Sequence, residues 1–158
     1  MNFTRGFLAL GFIGVLYFGC KPQPVFPVEP ALTFKEYQQK EGGDTLKVVF
    51  SFTDGDGDIG VLPTGSDTNM VLTAYYKTPA GNYHVWLNPQ QTDSIYYSYR
   101  IPKLTASQKG LEGDIYLTIS TREVIAAYHD TLEFNAFLLD QSGHKSNLVR
   151  TPELILLP

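Results

Sequence analysis

A chain of 158 residues with a net charge of −4 has room for one domain with a sizeable core, and it carries no basic excess that would attract nucleic acid. Charged residues make up 18% and aromatic residues 13%, a balance that excludes a disordered, fully solvated chain. The 14 glycines and 10 prolines are spread along the sequence, as turns between short strands require.

Residues 1–19 read as an export leader rather than as part of the fold. Arg5 supplies a positive start, and residues 6–18 form an uninterrupted apolar stretch. That stretch is shorter than the roughly 20 residues needed to span a bilayer, and it suits the apolar region of a secretory signal. It ends at Tyr17-Phe18-Gly19-Cys20, and Cys20 is the only cysteine in the chain. A lone cysteine behind a small residue at this place resembles a bacterial lipobox, with Tyr17 departing from the aliphatic residue usual at its position. The resemblance implies cleavage before Cys20 and acylation of its thiol, and therefore attachment to a membrane. Each buried CH₂ contributes about 0.8 kcal/mol, so several acyl chains hold a protein firmly. The alternative is an ordinary signal peptide or an uncleaved anchor with an incidental cysteine. With Cys20 acylated no thiol remains for a disulfide, and stability must come from packing.

Residues 20–30 form a second segment. Pro22, Pro24, Pro27 and Pro30 favour an extended, semi-rigid tether that holds the following domain away from the bilayer. Surface-exported lipoproteins of Bacteroidota often carry an acidic run directly after the cysteine. Here Lys21 and prolines stand instead, so the expected location is the cell envelope, on the periplasmic face of the outer membrane.

Residues 31–158 read as one all-β domain. Strands are expected over residues 31–37, 46–52, 70–77, 83–87, 94–101, 113–120, 131–139 and 148–157, with Pro152 placing an edge or a bulge in the last of them. In the second, Val48, Phe50 and Phe52 fall on one face and Val49 on the other. Residues 113–120 alternate cleanly between apolar and polar. Residues 121–128 suit either a short helix or a bent strand, and the short helix is preferred. Seven or eight strands at this spacing predict a single antiparallel β-sandwich.

Asp54-Gly55-Asp56-Gly57-Asp58-Ile59-Gly60 is the most unusual local composition in the chain. It directly follows the apolar 46–52 strand. Three carboxylates at alternate positions are hard oxygen donors, and the intervening glycines let the backbone curl so that they converge. Ca²⁺ takes six to eight oxygens, so three carboxylates do not fill its shell, and Asp140 and Asn147 are the candidates to complete it. The sandwich order puts the loop after the second strand and the loop before the last at one end. An EF-hand is excluded, because the required glycine falls on Ile59 and the bidentate glutamate on Gly65. A second reading stays open at this point: Asp and Gly are ordinary turn residues, and the carboxylates can cap loop amides without any ion.

Catalytic patterns are missing. The sequence has no Gly-x-Ser-x-Gly elbow, no His-Glu-x-x-His and no phosphate loop. The expectation is a non-enzymatic module that binds an envelope protein or a glycan. Trp86, Tyr83 and Tyr97 are the candidate aromatic platform for a carbohydrate, against the commoner role of strand aromatics as core. Tyr96 and Tyr97 must point to opposite faces.

The combination of residues 52–60 with Arg100-Ile101-Pro102-Lys103-Leu104-Thr105, Leu111-Glu112-Gly113-Asp114-Ile115, residues 139–147 and Thr151-Pro152-Glu153 resembles a group of Bacteroidota lipoproteins that has no established activity. The resemblance runs from Val49 onward and implies an immunoglobulin-like or fibronectin-III-like sandwich. Gln141-Ser142-Gly143-His144 departs from the Arg-Ala-Gly-Asn usual in that group.

Overall fold

A computed structural model of the chain describes residues 25–40, 43–60, 67–87, 94, 96–103, 110–120 and 130–157. The leader, Cys20, the first part of the tether and the expected 121–128 helix lie outside the described residues. Among the described residues no helix is long and apolar enough to cross a membrane.

The fold is all-β and forms the expected antiparallel sandwich of two sheets. The first sheet has the order β1–β2–β6, from β1 (Ala31–Gln39), β2 (Thr45–Asp54) and β6 (Leu111–Ser120). The second has the order β4–β3–β7–β8, from β4 (Tyr83–Val85), β3 (Met70–Lys77), β7 (Thr131–Leu138) and β8 (Val149–Arg150). Short β5 (Tyr96–Tyr99) adds to β3, and β9 (Leu154–Ile155) adds to β7. The chain leaves the first sheet after β2, builds β3 to β5 in the second, returns for β6, and crosses again to β7.

Period-two patterning sets the register. On β2, Leu46, Val48, Phe50 and Phe52 face inward and stand opposite Ile119, Leu117, Ile115 and Gly113 of β6. From the other sheet come Met70, Leu72 and Ala74 of β3, with Leu132, Phe134, Ala136 and Leu138 of β7. Full burial of a side chain of this size contributes roughly 1.5–3 kcal/mol, so this interleaved layer dominates the stability of a chain with no disulfide among its elements. Val49 points outward, as expected, yet it is fully buried between Glu36 and Tyr116 on the flanking strands.

Strand β1 runs two residues further than the sequence suggests. A bulge between Phe34 and Glu36 inserts one residue and reverses the inward parity. Leu32 and Phe34 face inward before it, and Tyr37 faces inward after it. Tyr37 thereby reaches across the sandwich to the Phe134 ring, with centroids 6.5 Å apart. Its hydroxyl lies 2.6 Å from Thr151 Oγ1 and donates to the Pro152 carbonyl at 2.9 Å.

The last strand is split, as expected from Pro152. Between β8 and β9, Thr151 takes over the ladder. Its amide donates to the Phe134 carbonyl, and its hydroxyl oxygen accepts from the Phe134 amide at 2.8 Å. No buried β7 amide is left unpaired at that rung.

Candidate functional site

The acidic loop leaves β2 at Asp54, whose side chain is fully buried at the rim of the core. The next residues turn tightly. Gly57 has a φ of 75° and Gly60 a φ of 109°, conformations that side chains with a Cβ resist. At Gly60 a methyl group would also stand 2.5 Å from the Lys103 Cα and 2.6 Å from the Pro102 carbonyl oxygen, so the 102–103 segment closes over this position.

Ile59 is 1% exposed and plugs the end of the core. It also forms an isolated antiparallel bridge with Asp140, just past β7. Beside it, the Gln141 amide donates to the Asp58 carbonyl. This rung ties the loop after β2 to the turn after β7 across the two sheets, and it carries Asp140 into the acidic loop.

As a result, one carboxylate oxygen from each of Asp54, Asp56, Asp58 and Asp140 lies within 4.8 Å of the others. Four of the eight carboxylate oxygens are held by the protein. Asp54 Oδ2 accepts from the Asp58 amide at 2.9 Å. Asp58 Oδ2 accepts from the amide and the hydroxyl of Ser142. Asp140 Oδ1 accepts from the His144 amide at 2.7 Å, and Asp140 Oδ2 lies 2.8 Å from His144 Nδ1. Of the four that remain, Asp54 Oδ1 and Asp58 Oδ1 are buried and have no hydrogen-bond partner among the described residues. A buried, unpartnered carboxylate oxygen carries a large desolvation cost.

The electrostatics point the same way. At an effective dielectric of about 20, two carboxylates 4.8 Å apart repel by roughly 3.5 kcal/mol. Burial holds the Asp54 carboxyl above its ordinary value, and the charges of Asp56 and Asp58 add to the shift against the opposing Asp58 and Ile59 amides. His144 is moved up in turn by its hydrogen bond to Asp140. The donor set is oxygen only, and the flexible Gly-rich loop suits the irregular shell of Ca²⁺ better than the strict octahedron of Mg²⁺.

Of the five expected metal ligands, four come together and Asn147 does not. Its side chain is turned to β1, where Oδ1 accepts from the Leu32 amide at 2.8 Å and Nδ2 donates to the Leu32 carbonyl at 2.9 Å. The amide imitates one rung of a neighbouring strand and closes part of the β1 edge. Ser142 and His144, which orient the site carboxylates, are additions to the expected set. The Ser-Gly turn directly after Asp140 is the sequence signal that could have found them.

The expected aromatic platform is not assembled. Tyr97 stands opposite Leu72 of β3 and so shares the core face of that strand, while Tyr83 stands opposite Lys77 on the outer face. Trp86 meets Tyr76 edge to face at 5.5 Å and packs, with Tyr97, against the core. Tyr83 is covered by Lys77 and Arg150, which lie 5.6 Å and 5.5 Å from its ring centre. The pleat of one β3 edge therefore separates Tyr83 from Tyr97. Tyr96 is described only along its backbone.

No protein-family model and no curated protein matches the chain. Among solved structures it is similar to OgpA from Akkermansia muciniphila in two crystal forms, at 16% and 15% identity, with a TM-score of 0.41 for each. These matches cover 87% and 86% of this chain and 31% and 32% of the OgpA chain. The chain thus spans about a third of the length of the solved chains it resembles, and a likeness at this level bears on neither the fold nor the function.

Proposed function

We propose that the protein is a lipid-anchored, non-enzymatic interaction module of the cell envelope, and that Asp54, Asp56, Asp58 and Asp140 hold a Ca²⁺ ion that stiffens the interacting end of its sandwich. The observation that supports this most is the buried Asp54. Its Oδ1 lacks a hydrogen-bond partner among the described residues, and it belongs to four carboxylates that meet within 4.8 Å. A capped turn accounts for Asp54 Oδ2 and Asp58 Oδ2, which have amide donors, but leaves both Oδ1 atoms unexplained. A divalent cation satisfies them and cancels the mutual repulsion.

The anchoring half of the reading rests on Cys20 at the end of an apolar leader, and on the proline-rich segment that follows. Periplasm-facing outer membrane is the location that fits Lys21 best. The interacting surface in this reading is the rigidified loop end, and the partner class is another envelope protein.

Titration of the full chain in detergent with CaCl₂ and with MgCl₂, followed by calorimetry, tests the cation. Saturable binding of Ca²⁺ at one site, lost in Asp54→Asn and Asp56→Ala, supports the proposal. Absence of binding in the unaltered chain contradicts it. Cys20→Ala tests the anchor independently, since the protein then leaves the membrane fraction.

A further inference from the structure

The end of the tether lies against the acidic loop. A methyl group placed on Gly55 would stand 2.3 Å from the Phe26 carbonyl oxygen and 2.4 Å from the Pro27 carbonyl oxygen. Gly55 is the residue between Asp54 and Asp56. Its φ lies outside the left-handed region occupied by Gly57 and Gly60, so an alanine is compatible with its own φ, and the nearest atoms it would meet belong to the tether. Two residues further on, Glu29 is close enough to interact electrostatically with the His144 imidazole, which sits on Asp140. Pro30 is buried, and β1 starts at Ala31.

This seat is unfavourable in charge terms. Main-chain carbonyl oxygens are the negative ends of peptide dipoles, and Glu29 adds a carboxylate to an end that already holds four. With an ion at the centre, the same oxygens are attracted. Resting on the cation reading above, we propose that Ca²⁺ at the acidic loop clamps residues 26–29 against Gly55, so that cation binding and docking of the tether are one linked equilibrium. The ion then fixes the last part of the tether as well as stiffening a loop. Linkage requires reciprocity: whatever loosens the tether must weaken the ion by the same factor.

The test uses the full chain in detergent, with CaCl₂ as the probe and EDTA as its control. Amide hydrogen exchange is read at Val25, Phe26, Val28 and Glu29, and Ca²⁺ affinity is read by calorimetry on the unaltered chain and on Gly55→Ala. The expected result is slower exchange across residues 25–29 with Ca²⁺, and an affinity about tenfold weaker in Gly55→Ala, within the usual range of coupling between sites. If Ca²⁺ binds the unaltered chain but exchange at residues 25–29 is the same in EDTA, the clamp is wrong and the cation site stands. Equal affinity in Gly55→Ala likewise overturns the clamp and leaves the cation site in place. If the unaltered chain binds no Ca²⁺, the cation reading itself fails and the clamp falls with it.

Discussion

Ile59 and Asp140 form a single antiparallel bridge between the loop that leaves the first sheet and the turn that ends β7 of the second. That rung converts a local run of aspartates into a three-dimensional site. Ile59 is held by the core and Asp140 by the register of β7, so the two sheets themselves fix the distance between the carboxylates. The acidic end is therefore part of the sandwich closure, and anything that tightens it also tightens the fold.

The role of Asn147 follows from its pairing with Leu32. Asn147→Ala orphans the Leu32 amide and carbonyl at the edge of β1. The expected cost is about 1–2 kcal/mol of stability, with no change in Ca²⁺ affinity. Urea unfolding and calorimetry on the same variant check both halves. A loss of affinity would return Asn147 to the ligand set.

Thr151 carries the break between β8 and β9. Thr151→Val keeps the shape and removes the oxygen that accepts from the buried Phe134 amide. A buried donor left unpaired costs roughly 1–3 kcal/mol, so the urea midpoint is expected to fall with an unchanged slope. Thr151→Ser, which keeps the hydroxyl, is expected to recover most of the loss.

Alkaline pH acts through desolvated tyrosines, Tyr37 and Tyr99 among them. Burial pushes the hydroxyls of Tyr37 and Tyr99 up to about 12, against about 10 in an unfolded chain. Folding thus favours the neutral phenol. This contribution is complete below pH about 10, where both states are protonated, and it is lost as pH rises through about 12. In an ultraviolet phenolate titration of the native protein, these two residues are expected to ionise late. Tyr37→Phe is expected to remove one late step.

Acid acts on Asp54 with the opposite consequence for a carboxylate held by ion pairs. Its folded value is raised, so the folded state keeps the proton more tightly than the unfolded chain does. Without the cation, its contribution is greatest at or below the unfolded value near pH 3.8 and declines as pH rises through the folded value. Melting in EDTA across mildly acidic pH, on the native chain and on Asp54→Asn, reads this slope. The slope is expected to diminish in the variant.

Much of the fold was legible in the residues. Alternation placed β2, β3, β6 and β7, and Pro152 placed the break near the end, because period-two patterning records directly which face is buried. The β1 bulge left one sign, the consecutive polar residues Lys35 and Glu36 between Phe34 and Tyr37, and only the register against β2 turns that sign into a bulge. The convergence of the acidic loop and Asp140 was legible because both flank strong strands whose order in a sandwich is restricted. Asn147 turns to Leu32 rather than to the carboxylates for a physical reason. An amide side chain serves equally as a ligand or as an imitation peptide, and only the open edge of β1 decides between them. The aromatic platform failed through the pleat, because Tyr83 and Tyr97 lie on separate strands whose offset along β3 cannot be counted in the sequence. Main-chain carbonyls such as those of Phe26 and Pro27 leave no sequence signal at all.

The central claim, that a divalent cation completes the acidic end, is tested most directly by thermal melting of the full chain in millimolar CaCl₂ and in EDTA. Binding at 100 times the dissociation constant adds about 2.7 kcal/mol, or roughly 5–15 °C for a domain of this size. The account predicts a rise of that order in the unaltered protein and none in Asp56→Ala. Identical melting temperatures in CaCl₂ and EDTA for the unaltered protein would contradict it.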